Sequence, residues 1–286
     1  MKSFFPLKFL MIVLIVNVLH TSLLSQIGYQ IVSGAMSLGM GGASIAVQGA
    51  EAIFQNPAGL VGTTRSSVLL NSEIKFGLKD LKPIGAAFVL PTQSGVLGFS
   101  FQNYSFDAYR ESKLGVAYAR RLSSKFNLGI QLDYLRLKID EYGSTGLLTF
   151  EIGCNTLILN DLVLSAYLFN PVAVRLNEVE RTPSVFRLGL GYHLNSKVLL
   201  SLETEKDIEY PASFKFGLAY KALETLTLRC GFRTAPSMFS FGFGYAVTKY
   251  LTVDLALASH SYLGMTPALG VSYGLGRERK ENGSHN

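Results

Sequence analysis

Two glutamates stand one residue apart in the stretch VLLSLETE, at Glu203 and Glu205, and bases lie in the stretches on either side: Arg187 in VFRLGLGY and Lys215 in SFKFGLAY. In a β-strand, residues two apart share a face, so both carboxylates point the same way. A tight turn after His193 sets Arg187 opposite Glu203 or Glu205, and the next connection brings Lys215 level with Glu203. Further along the chain, Arg229 and Asp254 fall on the same face of their own strands. Such a ladder supports two kinds of chemistry. It can brace a wall and hold an internal segment by ion pairs, or it can form a selectivity or ligand-binding patch.

Acid catalysis by the paired glutamates is a poor fit to a strand wall, and no catalytic residue is assigned. His193, His260 and His285 sit in no nucleophile motif. Cys154 and Cys230 are the only cysteines, far apart and without the close ligand spacing that zinc requires. They read as small apolar residues, buried or lipid-facing. Neither a metal nor a cofactor is implied.

The elements that position these residues show as strict alternation. In SMFSFGFGYAV, Phe239, Phe241, Phe243 and Tyr245 take one face and Ser240, Gly242, Gly244 and Ala246 the other. In YLTVDLALA, Leu251, Val253, Leu255 and Leu257 oppose Thr252, Asp254, Ala256 and Ala258. A Gly-x-x-aromatic ending recurs at Gly85–Phe88, Gly115–Tyr118, Gly189–Tyr192, Gly217–Tyr220, Gly242–Tyr245 and Gly270–Tyr273. All but the last copy run through a short polar turn into a fresh strand, so the unit is a β-hairpin. Counting gives about fourteen antiparallel strands between residues 66 and 275, the sixth spanning 146–154. The short turns then share one rim with a girdle of aromatics, and the longer loops, the longest at 170–183, occupy the other.

Composition fits a membrane-spanning barrel. Of 286 residues, 48% are hydrophobic and 16% charged, with 19 Phe and 14 Tyr. After the N-terminus there is no apolar run long enough for a transmembrane helix. A soluble β-sandwich also alternates, but its polar face is rich in Lys, Glu and Thr, whereas here that face is largely Gly, Ala and Ser. Residues 1–25 carry Lys2, Lys8 and an apolar core from Phe9 to Leu19, the pattern of a secretory signal peptide. Without them 24 basic residues face 20 acidic ones, with no basic tract interleaved with aromatics and no case for nucleic acid.

One stretch stands outside the strands: SLGMGGASIAVQGAEAIFQNPAGL, from Ser37 to Leu60. It lacks the Gly-x-Gly-x-x-Gly pattern and a preceding strand, so it is no nucleotide loop. A fourteen-strand barrel has a lumen too wide for small side chains to fill, and residues 26–65 read as a plug. Gly39, Gly41 and Gly42 let its backbone press against the inner wall, and Pro57 with Gly59 turn the chain into the first strand.

Met40, Gly41, Gly42 and Ala43, followed by Asn56, Pro57, Ala58, Gly59 and Leu60, resemble the N-terminal signature of the PorV/PorQ family and of the wider FadL-type hydrophobic-compound transporters. The motifs cover about a tenth of the chain. The resemblance implies a bacterial outer-membrane barrel with an N-terminal luminal hatch, residues 66–275 forming the wall and 276–286 a periplasmic tail. It implies either a partner of type IX secretion components or secreted cargo, or passage of a hydrophobic ligand. The short loops fit the first better, so a PorV/PorQ-type secretion partner is the expected function, with a FadL-like transporter, or a structural outer-membrane protein, as the alternative. Outer-membrane lipids are the expected surroundings.

Overall fold

A computed structural model describes residues 29–171, 182–208 and 210–276. The segment expected to be a signal peptide, most of the 170–183 loop and nearly all of the expected 276–286 tail lie outside these residues. The wall begins with β1 (Ser66–Glu73), β2 (Ile84–Pro91), β3 (Val96–Phe106), β4 (Tyr109–Arg121), β5 (Phe126–Ile139), β6 (Gly143–Leu159) and β7 (Leu162–Phe169). It continues with β8 (Val185–Asn195), β9 (Val198–Asp207), β10 (Ser213–Leu223), β11 (Leu226–Thr234), β12 (Ser237–Ala246), β13 (Leu251–His260) and β14 (Gly264–Leu275). Each strand pairs antiparallel with its sequence neighbours, and β1 closes on β14 from Ser66↔Leu275 to Glu73↔Ala268. Closure leaves no strand edge, which is the condition for a sheet to cross hydrocarbon.

Alternation sets the two faces. Phe239, Phe241, Phe243 and Tyr245 are exposed on the outside of β12, and Leu255 and Leu257 on β13, while Met238, Ser240, Asp254 and Ala258 are buried. Cys154 and Cys230 pair with outward residues, Leu128 and Phe241 respectively, and so face out. Of the aromatics that end the glycine repeat, Phe88 and Tyr273 are both paired to Val68.

The rim that carries the short turns is as the sequence implies, but the opposite rim is not uniformly looped. There β3 and β4 are joined by two residues, 107–108, and β11 and β12 by 235–236. The height comes instead from strand: β5 has 14 residues and β6 has 17. Continuous pairing from Ile139↔Gly143 to Phe126↔Thr156 extends β6 well beyond 146–154. Gly143, Ser144, Thr145 and Gly146 have too little hydrophobic alternation to signal a strand, and only the partner β5 holds them in the ladder.

Leu255→Arg, which places a charge on the outer face, is expected to cost about 2–4 kcal/mol near the midplane. Ser240→Arg is expected instead to disturb the lumen without penalising lipid contact. Urea titration of folding into lipid vesicles measures both, and an unpenalised Leu255→Arg would contradict the register.

Candidate functional site

The segment from Tyr29 to Thr63 has little regular structure. It forms α1 (Ala35–Gly39) and two 3-10 turns, Ala50–Phe54 and Pro57–Gly62. The second turn is initiated by Asn56, whose Oδ1 accepts from the Ala58 amide at 3.1 Å, with Pro57 at the first helical position. That arrangement replaces the simple Pro57/Gly59 turn expected from sequence. A chain of this kind leaves backbone donors and acceptors without ladder partners, and in a buried setting each needs one.

Wall side chains supply them. Glu203 Oε2 accepts both the Ser44 and Ile45 amides at 3.1 Å. Arg187 donates to the Gln55 carbonyl at 3.1 Å and the Gly42 carbonyl at 3.4 Å. Glu73 accepts the amides of Ser33 and Gly34, Asn71 that of Ala35, and Gln102 that of Val32. Ser240 Oγ accepts the Gly41 amide at 2.8 Å, and Asn56 Nδ2 donates to Asn155 Oδ1 at 2.9 Å.

Behind these contacts lies the ladder expected from sequence. Arg187 pairs in register with Glu205 and Lys215 with Glu203. Arg187 Nε lies 2.6 Å from Glu203 Oε1, and Lys215 Nζ lies 2.9 Å from Glu203 and 2.7 Å from Glu205. Two cations and two anions therefore neutralise one another. Tyr29 Oη donates to Glu205 at 2.6 Å, and burial, reinforced by the Glu205 charge, raises its phenol well above the ordinary value and keeps the proton available. Arg229 and Asp254, on β11 and β13, meet at 2.5 Å across β12, where Gly244 leaves room for them.

The motif residues are packed against the wall. A side chain at Gly41, whose φ is +68°, would strike the Phe232 amide nitrogen at 2.6 Å. A side chain at Gly231 would run into Met40 and Gly41, and one at Gly129 into Pro57 and Ala58. Gly39 lies against Gly242, whereas Gly42 meets only the Lys215 side chain at ordinary contact distance. Ala58 and Leu60 are fully buried, and Leu60 joins Ile53 and Phe54 in a cluster with Leu69, Val89 and Val96. A side chain on Gly59 would meet Val47 within the segment itself; Met40 and Ala43 are also buried.

This packing also explains the glycine repeat. Gly85 faces Val32 and Phe54, Gly189 faces Ile45, Gly217 faces Met40, Gly242 faces Gly39 and Gly270 faces Ala35. At these five of its six positions the repeat is the imprint of the inner segment on the wall. Sequence periodicity displayed it, but not its cause.

A second buried charge cluster was not anticipated. Lys113 Nζ lies 2.5 Å from Glu151 and 3.7 Å from Asp133, and Gln131 donates to Asp133 at 2.8 Å. Gly115, the remaining glycine of the repeat, is the gap over which Ser100, Asp133 and Gln131 converge. The signal was present in the alternation, since Lys113, Asp133 and Glu151 share a face with Gly115, Gln131 and Gly153. Reading that face as one of small residues hid it.

Two cavities flank α1. One, of about 380 Å³, opens toward the rim with the taller strands; Leu38, Phe76 and Met238 line it together with Glu73, Lys75, Glu111, Glu205 and Arg233, so its wall is more polar than apolar. The other, of about 430 Å³, lies toward the short-turn rim and is lined by Met36, Met40, Glu51, Leu69, Leu199 and Tyr250 among others. Ala35 and Leu38 of α1 pack on Met238, Ala256, Ala258 and Ala268, with no charge in that cluster.

No known protein-family profile matches the chain, and no curated protein matches it by sequence. Solved structures do match. The toluene transporter TbuX of Ralstonia pickettii superposes with a TM-score of 0.71 at 12% identity, over 85% of this chain and 98% of that one. The monoaromatic hydrocarbon channel CymD gives 0.69 at 13% identity, over 88% and 99%. A FadL homologue of Pseudomonas aeruginosa gives 0.65 at 11% identity, over 84% and 98%. The chain shares the fold of these proteins. At such identities the likeness is one of architecture alone.

Arg187→Met is expected to cost about 3–5 kcal/mol, the usual penalty for leaving a buried partner charge uncompensated. The loss should fall on the inner segment, seen as raised conductance in planar bilayers before the barrel itself unfolds. A second expectation concerns pH. Enclosure of Glu51 in the inner cavity raises its carboxyl to about 8; the Asp254 charge adds to the rise and Arg229 partly offsets it. Arg65 and Lys249 line the same cavity. The folded chain thus holds a proton that the unfolded chain releases near the ordinary glutamate value, so stability falls as pH rises from there through about 8. Conductance should increase over the alkaline end of that window, and Glu51→Gln should flatten the response. A pH profile identical in the two proteins would contradict the assignment.

Proposed function

We propose that the protein is a passive outer-membrane channel for small hydrophobic molecules, with residues 26–65 as its hatch. The observation that carries this reading is the position of α1, a five-residue helix standing between two cavities. Leu38 lines one cavity and Met36 the other. The stretch after it is tied by charges, whereas α1 is hydrogen-bonded at its ends by Asn71 and Ser240 and seated between them on Met238, Ala256, Ala258 and Ala268. Moving α1 gives up the hydrogen bonds at its two ends, those of the Gly34 and Ala35 amides to Glu73 and Asn71 and those of Ser240 with Gly39 and Gly41. The helix has no charged residue and so no ion pair to break, and such a movement would join the cavities into one path.

The apolar members of the two linings mark the proposed route, which passes charged groups in both cavities. A hydrophobic solute enters the outer cavity beside Phe76, Tyr104 and Met238, displaces α1, and leaves past Met40, Leu69 and Leu199. No energy source is needed, because a solute of this kind moves down its own gradient. The signal peptide and the apolar exterior support placement in the outer membrane, with the short turns and the 276–286 tail on the periplasmic side. Transport and channel function in the solved structures of the same fold supports the reading as well.

The type IX secretion role expected from the PorV/PorQ-like motifs receives no such support. Both motifs are turned inward: Gly41 is pressed on Phe232 and Asn56 is bonded to Asn155. Residues buried in that way present no surface to a secreted cargo.

Proteoliposomes test the proposal. The intact protein should accelerate toluene entry over empty vesicles, and deletion of residues 29–63 should raise ionic conductance while abolishing discrimination between toluene and polar solutes. Toluene entry no faster than in empty vesicles would reject the channel, and equal conductance with and without the segment would reject the hatch.

A further inference from the structure

The outer face of β3 to β6 changes character in steps. Cross-strand register gives a row Phe101, Leu114, Tyr134 and Leu148, which closes the apolar surface. The next row toward the taller rim is Asn103, Ser112, Arg136 and Gly146, and the one after it is Ser105, Arg110, Lys138 and Ser144. Arg110 and Arg136 are exposed on adjacent strands one row apart. Arg110 stands directly opposite Lys138.

Like charges placed opposite each other across a ladder are unfavourable, and one of the three is already neutralised. Lys138 pairs with Asp140 at 2.9 Å, which holds that turn carboxyl below the usual range. Among the described residues neither Arg110 nor Arg136 lies within ion-pair distance of a carboxylate, and Asp140, paired with Lys138, acts on Arg110 only from further off. Ser112, Ser144 and Gly146 stand beside them in the same rows, and the Tyr134 phenol reaches up over Gly146. Asn103, bonded to Ser112 at 2.9 Å, adds a polar edge.

We propose that Arg110 and Arg136 bind the phosphate of a phosphorylated lipid in the outer leaflet, just above the hydrocarbon boundary marked by Tyr134. The guanidinium fork matches phosphate oxygens in pairs, and two forks one row apart engage one phosphate group from both sides. A lipid is the occupant that the location selects, because the apolar row beneath, Phe101 to Leu148, accommodates acyl chains while the basic rows meet the headgroup. The inference rests on the outer-membrane placement and on the taller rim facing outward; it is independent of what passes through the lumen.

Native mass spectrometry of the detergent-solubilised protein tests it, with bisphosphorylated lipid A and chemically dephosphorylated lipid A as probes. The protein should retain the phosphorylated lipid about tenfold better, as expected for loss of one charge-assisted contact. The double variant Arg110→Gln/Arg136→Gln should lose that preference, while Arg120→Gln, at the opposite rim of β4, should keep it. Heat-modifiable migration in gels verifies that each variant is folded. Equal retention of the dephosphorylated lipid, an unchanged preference in the double variant, or full displacement by millimolar inorganic phosphate would overturn the proposal. Toluene entry in proteoliposomes should be the same for the double variant, which separates this failure from failure of the channel reading.

Discussion

A non-repetitive backbone buried inside a protein must find a hydrogen-bond partner for each amide and carbonyl it cannot pair with itself. That constraint governs the lumen of this barrel. The segment from Tyr29 to Thr63 runs through α1 and two short turns; its amides at 32–35 and 45 turn to the wall, and those at 41 and 44 share a local turn bond with a wall acceptor. Glu73, Asn71, Gln102, Ser240 and Glu203 meet them from the wall. Glu203 is the most demanding of these, because a buried carboxylate needs counter-charges of its own, and Arg187 and Lys215 provide them.

The wall accommodates the segment sterically as well as electrically. Where polar side chains are not needed, its inner face is reduced to glycine and alanine, and the backbone of Met40 and Gly41 lies so near Gly231 that no side chain fits between them. The outer face has the opposite composition, because hydrocarbon favours large apolar groups and small ones would leave the girdle unfilled. One strand such as β12 therefore alternates Phe with Ser or Gly, and each half of the alternation answers to a different surrounding.

These contacts are unevenly distributed, and the unevenness bears on function. The stretch from Gly42 to Asn56 is fastened by a charged quartet and by Asn155, and Ile53, Phe54 and Leu60 anchor it near the short-turn rim. Helix α1 rests mainly on alanines. The segment is thus held by ion pairs in one part and by end hydrogen bonds and alanine packing in another, and the channel proposed above would draw on that difference.

Alternation in the sequence determined the strand number, the face of each residue and the pairing of Arg187, Glu203 and Lys215, because a period of two and tight hairpins fix neighbours locally. Composition determined that the outside meets lipid. The sequence did not show that the repeated glycines are seats for the inner segment, since their partners Val32, Ala35, Met40 and Ile45 are remote in the chain. Nor did it show that Arg229 reaches Asp254 across β12, or that Lys113, Asp133 and Glu151 gather in one place. It extended neither β6 to 17 residues nor the taller wall it builds with β5. Barrel closure decided these points: only when β1 meets β14 do inward side chains from distant strands share one enclosed space, and only there do charge balance and close packing select which of them touch.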